Sequence, residues 1–126
     1  MKKFVVEFLK SLLLTVTILT IVSCKSDDPT GEDAMVCGSA RPAEELLWLR
    51  NQVNEFYGGE ESNAVVLYNF NGEQVIEVQN SVFSSTNQHQ YLCDGTKLDL
   101  DDANKFKEFK DNREEVKVIY GTKIWN

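Results

Sequence analysis

Two dipeptides, Asn71-Gly72 and Asp94-Gly95, constrain the fold of this chain more than any other feature. Both are favoured in two-residue turns between antiparallel strands, because such turns need positive φ at their central residues. A pair of strand-like segments flanks each dipeptide, so the sequence predicts two hairpins. The predicted strands span residues 64–70, 73–79, 89–93 and 96–100.

A two-residue turn sets the register of the first hairpin, in which Phe70 pairs with Glu73 and Tyr68 with Val75. One face of this hairpin is then aliphatic and is predicted to meet a helix. The opposite face carries the residues that we call the aromatic strip: Val66, Tyr68, Phe70 and Val75. The strip has two interpretations, a groove that binds a ligand or peptide, or a sheet face that a loop covers. In the second hairpin the same reasoning pairs Tyr91 with Leu98.

Residues 42–57 are predicted to form a helix, since Pro42 suits a first turn and a Gly pair follows the apolar periodicity. A second helix is predicted over residues 102–113, with Asp99 as its cap, and a strand follows over residues 115–120. The predicted fold class is α+β. It has an N-terminal helix packed on an antiparallel sheet of about five strands, with a second short helix before the last strand.

Residues 1–23 have the features of a secretory signal, because Lys2, Lys3 and Lys10 precede an apolar stretch, Leu12 to Val22, that is too short to span a membrane. The stretch ends in Ile21-Val22-Ser23-Cys24, which resembles the lipobox of bacterial lipoproteins. This resemblance implies cleavage before Cys24 and acylation of that cysteine with chains such as palmitate, which would hold the protein on a membrane surface. An ordinary secretory signal with an incidental cysteine is the alternative.

The next residues, Lys25-Ser26-Asp27-Asp28, resemble the tag that directs lipoproteins of Bacteroidota to the outer face of the outer membrane. The resemblance implies a lipid-anchored protein of the outer membrane that is displayed on the cell surface. A periplasm-facing anchor is the alternative. The predicted layout is a signal peptide at 1–23, a lipidated Cys and flexible acidic tether at 24–36, and one small globular domain at 37–126.

With Cys24 assigned to the lipid, Cys37 and Cys93 remain. In an oxidising cell envelope these two are predicted to form a disulfide, which contributes about 4 kcal/mol on the chain-entropy model. Redox or zinc chemistry is the alternative, but the chain has no Cys-x-x-Cys pair and a single His.

The secreted part of the chain is strongly acidic. Removing residues 1–23 takes three Lys and one Glu from the 13 basic and 20 acidic residues, which leaves 10 against 19 and a side-chain charge of -9. Nucleic acid is therefore excluded as the main partner, because phosphate binding needs clustered Lys and Arg. The folded part is also predicted to stand away from an anionic membrane on its tether.

Three segments resemble small lipoproteins of Bacteroidota that consist of a lipid signal and one domain. They are Glu45-Leu46-Leu47-Trp48-Leu49, the strands around Tyr68, and Tyr91-Leu92-Cys93-Asp94-Gly95. The resemblance implies a class and a compartment, and it supplies no active site.

The sequence therefore favours a non-catalytic binding module with an unknown protein or glycan partner. An inhibitor of a secreted hydrolase and a small envelope enzyme are the alternatives. For the enzyme, Ser84, Ser85 and His89 are the available groups, but no nucleophile elbow accompanies them. An acidic cluster at Asp94, Asp99, Asp101 and Asp102 does not follow the EF-hand pattern. We predict no catalytic residue, no cofactor and no metal site.

Overall fold

The computed structural model describes residues 34–126. The predicted signal peptide, Cys24 and the tether up to residue 33 lie outside the described residues. The α+β class is confirmed, with one antiparallel sheet of four strands in the order β3-β2-β1-β4 and three helices in the described part of the chain. The elements are α1 (Pro42–Glu45), α2 (Leu47–Asn54), β1 (Asn63–Phe70), β2 (Glu73–Asn80), β3 (Gln90–Tyr91), α3 (Ala103–Asn112) and β4 (Glu114–Gly121).

The first hairpin forms the centre of the sheet with the predicted register. Phe70 lies opposite Glu73, and Tyr68 lies opposite Val75. Both turn residues have positive φ, 51° at Asn71 and 79° at Gly72, as a type I′ turn requires. The predicted turn and register are therefore confirmed.

The second hairpin is shorter than predicted and is shifted by one residue. β3 has two residues, and its Tyr91 bridges to Lys97 instead of the predicted Leu98. The N–H of Gly95 donates to the carbonyl of Leu92 at 3.0 Å, and Gly95 has a φ of 85°. This is the pattern of a three-residue turn that ends in a left-handed residue. A fifth strand is not confirmed.

The one-residue shift also changes which face each side chain occupies. The predicted register places Tyr91 and Leu98 on the same face. In the structure Tyr91 packs beside Trp48, with ring centroids 5.3 Å apart, whereas Leu98 packs with Val75 on the other face.

The predicted helix over residues 42–57 is divided into α1 and α2. Leu46 separates them with an extended backbone, at φ -79° and ψ 107°, and its side chain packs against the hydrophobic core. α2 then buries Leu49 completely. Both leucines therefore contact the core, although the helix is interrupted between them.

The sheet has a hydrophobic core on each face. On one face α2 contributes Leu49 to a buried cluster with Val36 and the aliphatic side of the first hairpin. On the other face Phe109 of α3 is buried with Val75 and Leu100. α3 is capped by Asp102, which accepts from two backbone N–H groups of the first turn, so the predicted cap at Asp99 was wrong.

The predicted disulfide is confirmed. Cys37 and Cys93 are bonded, with their Cα atoms 5.3 Å apart. Gln74 supports the same region, because its side-chain oxygen accepts from the N–H of Cys37 at 2.6 Å. The disulfide thus ties the segment before α1 to the turn of the second hairpin.

Candidate functional site

The aromatic strip is not a surface groove. Val66, Tyr68 and Val75 are at most 2% exposed, and α3 lies over the same face. Phe109 meets the rings of Tyr68 and Phe70 edge-on, at centroid distances of 6.2 and 5.1 Å. The interpretation as a binding groove is therefore corrected. The strip belongs to a second core, and the element that covers it is helix α3 rather than the predicted loop.

A buried polar cluster that sequence reasoning missed lies beside the strip. Glu77 is fully buried, and its carboxylate accepts from Arg113 at 2.8 Å, Gln90 at 2.8 Å and Gln79 at 2.7 Å. The guanidinium lies 4.1 Å from the centre of the Tyr68 ring. Both oxygens of the carboxylate are thus hydrogen-bonded, as a buried charge requires. Strand alternation places Glu77 on the face of the strip, which is the one sequence signal for this cluster.

The phenol of Tyr68 is unusual within this core. Burial, with the nearby Glu77 carboxylate as the second cause, raises the pKa of Tyr68 to about 12. Its hydroxyl has no hydrogen-bond partner among residues 34–126. The folded state therefore favours the protonated phenol but gains no hydrogen bond from it.

We expect Tyr68→Phe to change stability at neutral pH by less than about 1 kcal/mol, because it removes a hydroxyl without a partner and keeps the ring. The alkaline behaviour should differ more. Since the unfolded phenol titrates near 10 and the folded phenol near 12, the stability contribution is complete below pH 10 and is lost as the pH rises toward 12. The loss is about 2 kcal/mol in the native chain and is absent in the variant.

Denaturant unfolding at neutral and alkaline pH measures both quantities. Tyr57→Phe is the matched control, since Tyr57 is 79% exposed and its change should leave the alkaline loss intact. An unchanged alkaline loss in Tyr68→Phe would contradict the assignment.

The two most exposed large apolar side chains of residues 34–126 lie shortly after the ends of α2 and β2. Tyr57 is 79% exposed and Val82 is 64% exposed. They border a cleft of about 270 Å³ in which Phe56 and Phe83 supply aromatic walls and Gln52, Glu55 and Asn80 supply polar ones. We call Tyr57, Val82 and this cleft the Tyr57 surface. Its residues come from α2, from the end of β2 and from the loops that follow these two elements, so strand or helix periodicity alone does not reveal it.

Two buried asparagines fix the loops of the Tyr57 surface. The carbonyl of Tyr57 accepts from the side-chain amides of Asn63 at 3.1 Å and Asn80 at 3.3 Å. Asn80 also accepts from the N–H of Val82 at 2.9 Å, and the two asparagine side chains bond to each other. Gly58 completes the loop with a φ of 86°. The exposed side chains are therefore held on a backbone that is anchored from below.

The Tyr57 surface lies at the opposite end of the first hairpin from Met35. The carbonyl of Met35 accepts from Gln74 at 3.0 Å, near the start of β2. Asn80, which supports Tyr57, is the last residue of β2. The two points are separated by about 20 Å, given the rise per residue of a strand.

His89 packs against an aromatic side chain of the preceding loop. The imidazole stacks on Phe83 with ring centroids 3.8 Å apart. Burial, followed by the charge of Lys97, lowers the pKa of His89, and a hydrogen bond to the backbone of Ser85 opposes this. His89 therefore supports one wall of the cleft through Phe83, and its ring is not paired with a serine hydroxyl in any contact of the described residues.

The predicted acidic cluster is divided among local contacts. Asp94 accepts from the N–H of Thr96 at 2.9 Å, Asp99 pairs with Lys105 at 3.1 Å, and Asp102 caps α3. Within residues 34–126 no group of three or more His, Cys, Asp or Glu side chains is arranged to hold a metal ion.

No protein-family model, curated protein or solved structure matches this chain. In the part of the chain that the structure describes, no helix has the length and apolar character needed to cross a membrane.

Proposed function

We propose that this chain is a lipoprotein of the Bacteroidota type, anchored to the outer membrane through acylated Cys24, and that its domain is a non-catalytic interaction module for a protein partner. The lipobox-like segment that ends at Cys24 and the acidic residues after it support the anchor. The observation that carries the interaction module is the Tyr57 surface, where an exposed aromatic ring stands on a loop fixed by buried hydrogen bonds.

The geometry of this surface suits protein recognition. Aromatic side chains are enriched where interfaces gain most of their energy, and an apolar cleft with a polar rim is the usual arrangement. Because Asn63 and Asn80 already hold the loop, binding would not have to order it, which lowers the entropic cost of association.

The position of the surface agrees with display away from the membrane. The proposed tether joins the domain next to Met35, at the turn end of the first hairpin. Tyr57 lies at the other end. A domain attached in this way would turn the Tyr57 surface toward the surroundings of the cell rather than toward the bilayer.

Site-specific photocrosslinking on intact cells tests this proposal. With a photoreactive phenylalanine analogue at Tyr57, we expect a discrete adduct to a protein. The same analogue at Leu47, which is 61% exposed at the other end of α2, should give none. Equal crosslinking from both positions, or none from Tyr57, would contradict the proposed site.

The anchor is tested in the same cells. Protease added to intact cells should digest the domain, and Cys24→Ser should release it from the membrane fraction without changing its fold. Protection from the protease until the outer membrane is permeabilised would instead place the domain in the periplasm.

A further inference from the structure

The charge around the Tyr57 surface is one-sided. No Lys or Arg occurs between Asn51 and Thr96. Glu55 borders the cleft, and Glu60 and Glu61 lie in the loop that follows Tyr57; all three are exposed. Three exposed carboxylates thus lie within four positions of the exposed Tyr57 ring along the chain.

Neither Arg50 nor Lys123 forms an ion pair with these carboxylates in the described part of the chain. Arg50 precedes Gln52 by two positions on α2, which places it on roughly the opposite side of the helix from the cleft. Lys123 follows Thr122, whose N–H donates to the backbone carbonyl of Glu60. The ammonium group of Lys123, however, pairs with Glu115. The negative potential at the Tyr57 surface is therefore available to a partner.

We propose that the Tyr57 surface binds a basic protein segment in which an apolar side chain is flanked by Lys or Arg. The inference rests on the proposed function and names the chemistry of the partner. The apolar side chain enters the cleft of about 270 Å³ between Phe56 and Phe83. The basic side chains lie over Glu55, Glu60 and Glu61, and an Arg guanidinium stacks on the exposed ring of Tyr57.

The two parts of this recognition contribute differently. Burial of the apolar side chain and of the Tyr57 ring supplies most of the affinity, as aromatic and Arg contacts do in other interfaces. The carboxylates raise the association rate and discriminate against acidic partners, and their effect weakens with salt. An acidic segment is rejected because like charges would be brought together.

Fluorescence anisotropy with defined peptides tests the proposal on the full acylated chain in non-ionic detergent. The probe is a labelled short peptide that alternates Lys with Leu, and the comparison peptide has Glu in place of Lys. We expect the Lys peptide to bind, with affinity falling as salt is added, and the Glu peptide not to bind. Tyr57→Ser should weaken binding about tenfold, as truncation of a central anchor does.

The carboxylates are tested with two triple variants of equal charge. Glu55→Gln/Glu60→Gln/Glu61→Gln should weaken binding about tenfold, from three exposed pairs. Glu73→Gln/Glu108→Gln/Glu114→Gln removes the same charge from exposed positions elsewhere and should have little effect.

Equal weakening by both triple variants would overturn the proposal, since it would show a general attraction to an acidic protein. Binding of the Glu peptide, or of a neutral oligosaccharide with no effect of the carboxylate variants, would overturn it as well. After any of these outcomes, a protein crosslinked at Tyr57 would still support the proposed function. The absence of that adduct would contradict the proposed function itself.

Discussion

Arg113→Met is expected to lower the free energy of unfolding by about 3–5 kcal/mol, because it leaves the Glu77 carboxylate buried without its charged partner. The two side chains are 7% and 1% exposed, so water cannot take the place of the guanidinium. The variant also loses the contact of the guanidinium with the Tyr68 ring. Denaturant unfolding at neutral pH measures the change directly.

Arg50→Met is the matched control, since Arg50 is exposed on α2 and its loss should change stability by less than about 0.5 kcal/mol. The double variant Arg113→Met/Glu77→Leu separates the cost of an unpaired Glu77 carboxylate from the other effects of losing Arg113. We expect it to be more stable than Arg113→Met alone, because it removes the unpaired charge. A single variant as stable as the native chain would show that the ion pair is not formed in solution.

Cys37→Ser/Cys93→Ser is expected to lower the free energy of unfolding by about 4 kcal/mol, since it opens a long loop in the unfolded chain. The disulfide joins residues 56 positions apart and connects the segment before α1 to the turn after β3. In a domain of this size a loss of this order is a large part of the total stability. The variant should unfold at clearly lower denaturant and should be degraded faster in the cell envelope.

Two comparisons isolate the effect of the disulfide. Reduction of the native protein should give the same loss as the double variant, because both open the same loop. Cys24→Ser should leave the denaturant midpoint unchanged, since Cys24 takes no part in the bond between Cys37 and Cys93. A double variant that keeps native stability would mean that the fold does not depend on the disulfide.

The first hairpin was predictable in detail because its information is local. Asn71-Gly72 suits one turn type, and that turn fixes the pairing of Tyr68 with Val75. Asp94-Gly95 is equally clear as a turn but fits two lengths. The N–H of Trp48 donates to the carbonyl of Cys93 at 3.0 Å, and a Cβ at position 95 would lie 2.8 Å from the Trp48 ring. These contacts come from another part of the chain, so the neighbours of the dipeptide do not reveal them.

The candidate site was predicted at the wrong place for a similar reason. Alternation correctly separated the two faces of the hairpin, and the aromatic strip shares one face with Glu77. Whether that face is open depends on where α3 lies, and α3 is separated from β1 and β2 by the whole second hairpin. The Tyr57 surface was missed because its residues follow no periodicity and are joined through Asn63 and Asn80.

The amino-acid sequence alone was sufficient to predict the α+β class, the first hairpin and the pairing of Cys37 with Cys93. Each of these follows from short-range turn chemistry, strand alternation or the number of cysteines. The burial of Tyr68, the partners of Glu77 and the exposure of Tyr57 followed from the packing of distant segments. A side chain of a given type and spacing suits either a core or a surface. Whether the side chain is buried or exposed is decided by the segment that packs over it, and the position of that segment depends on the fold of the whole chain.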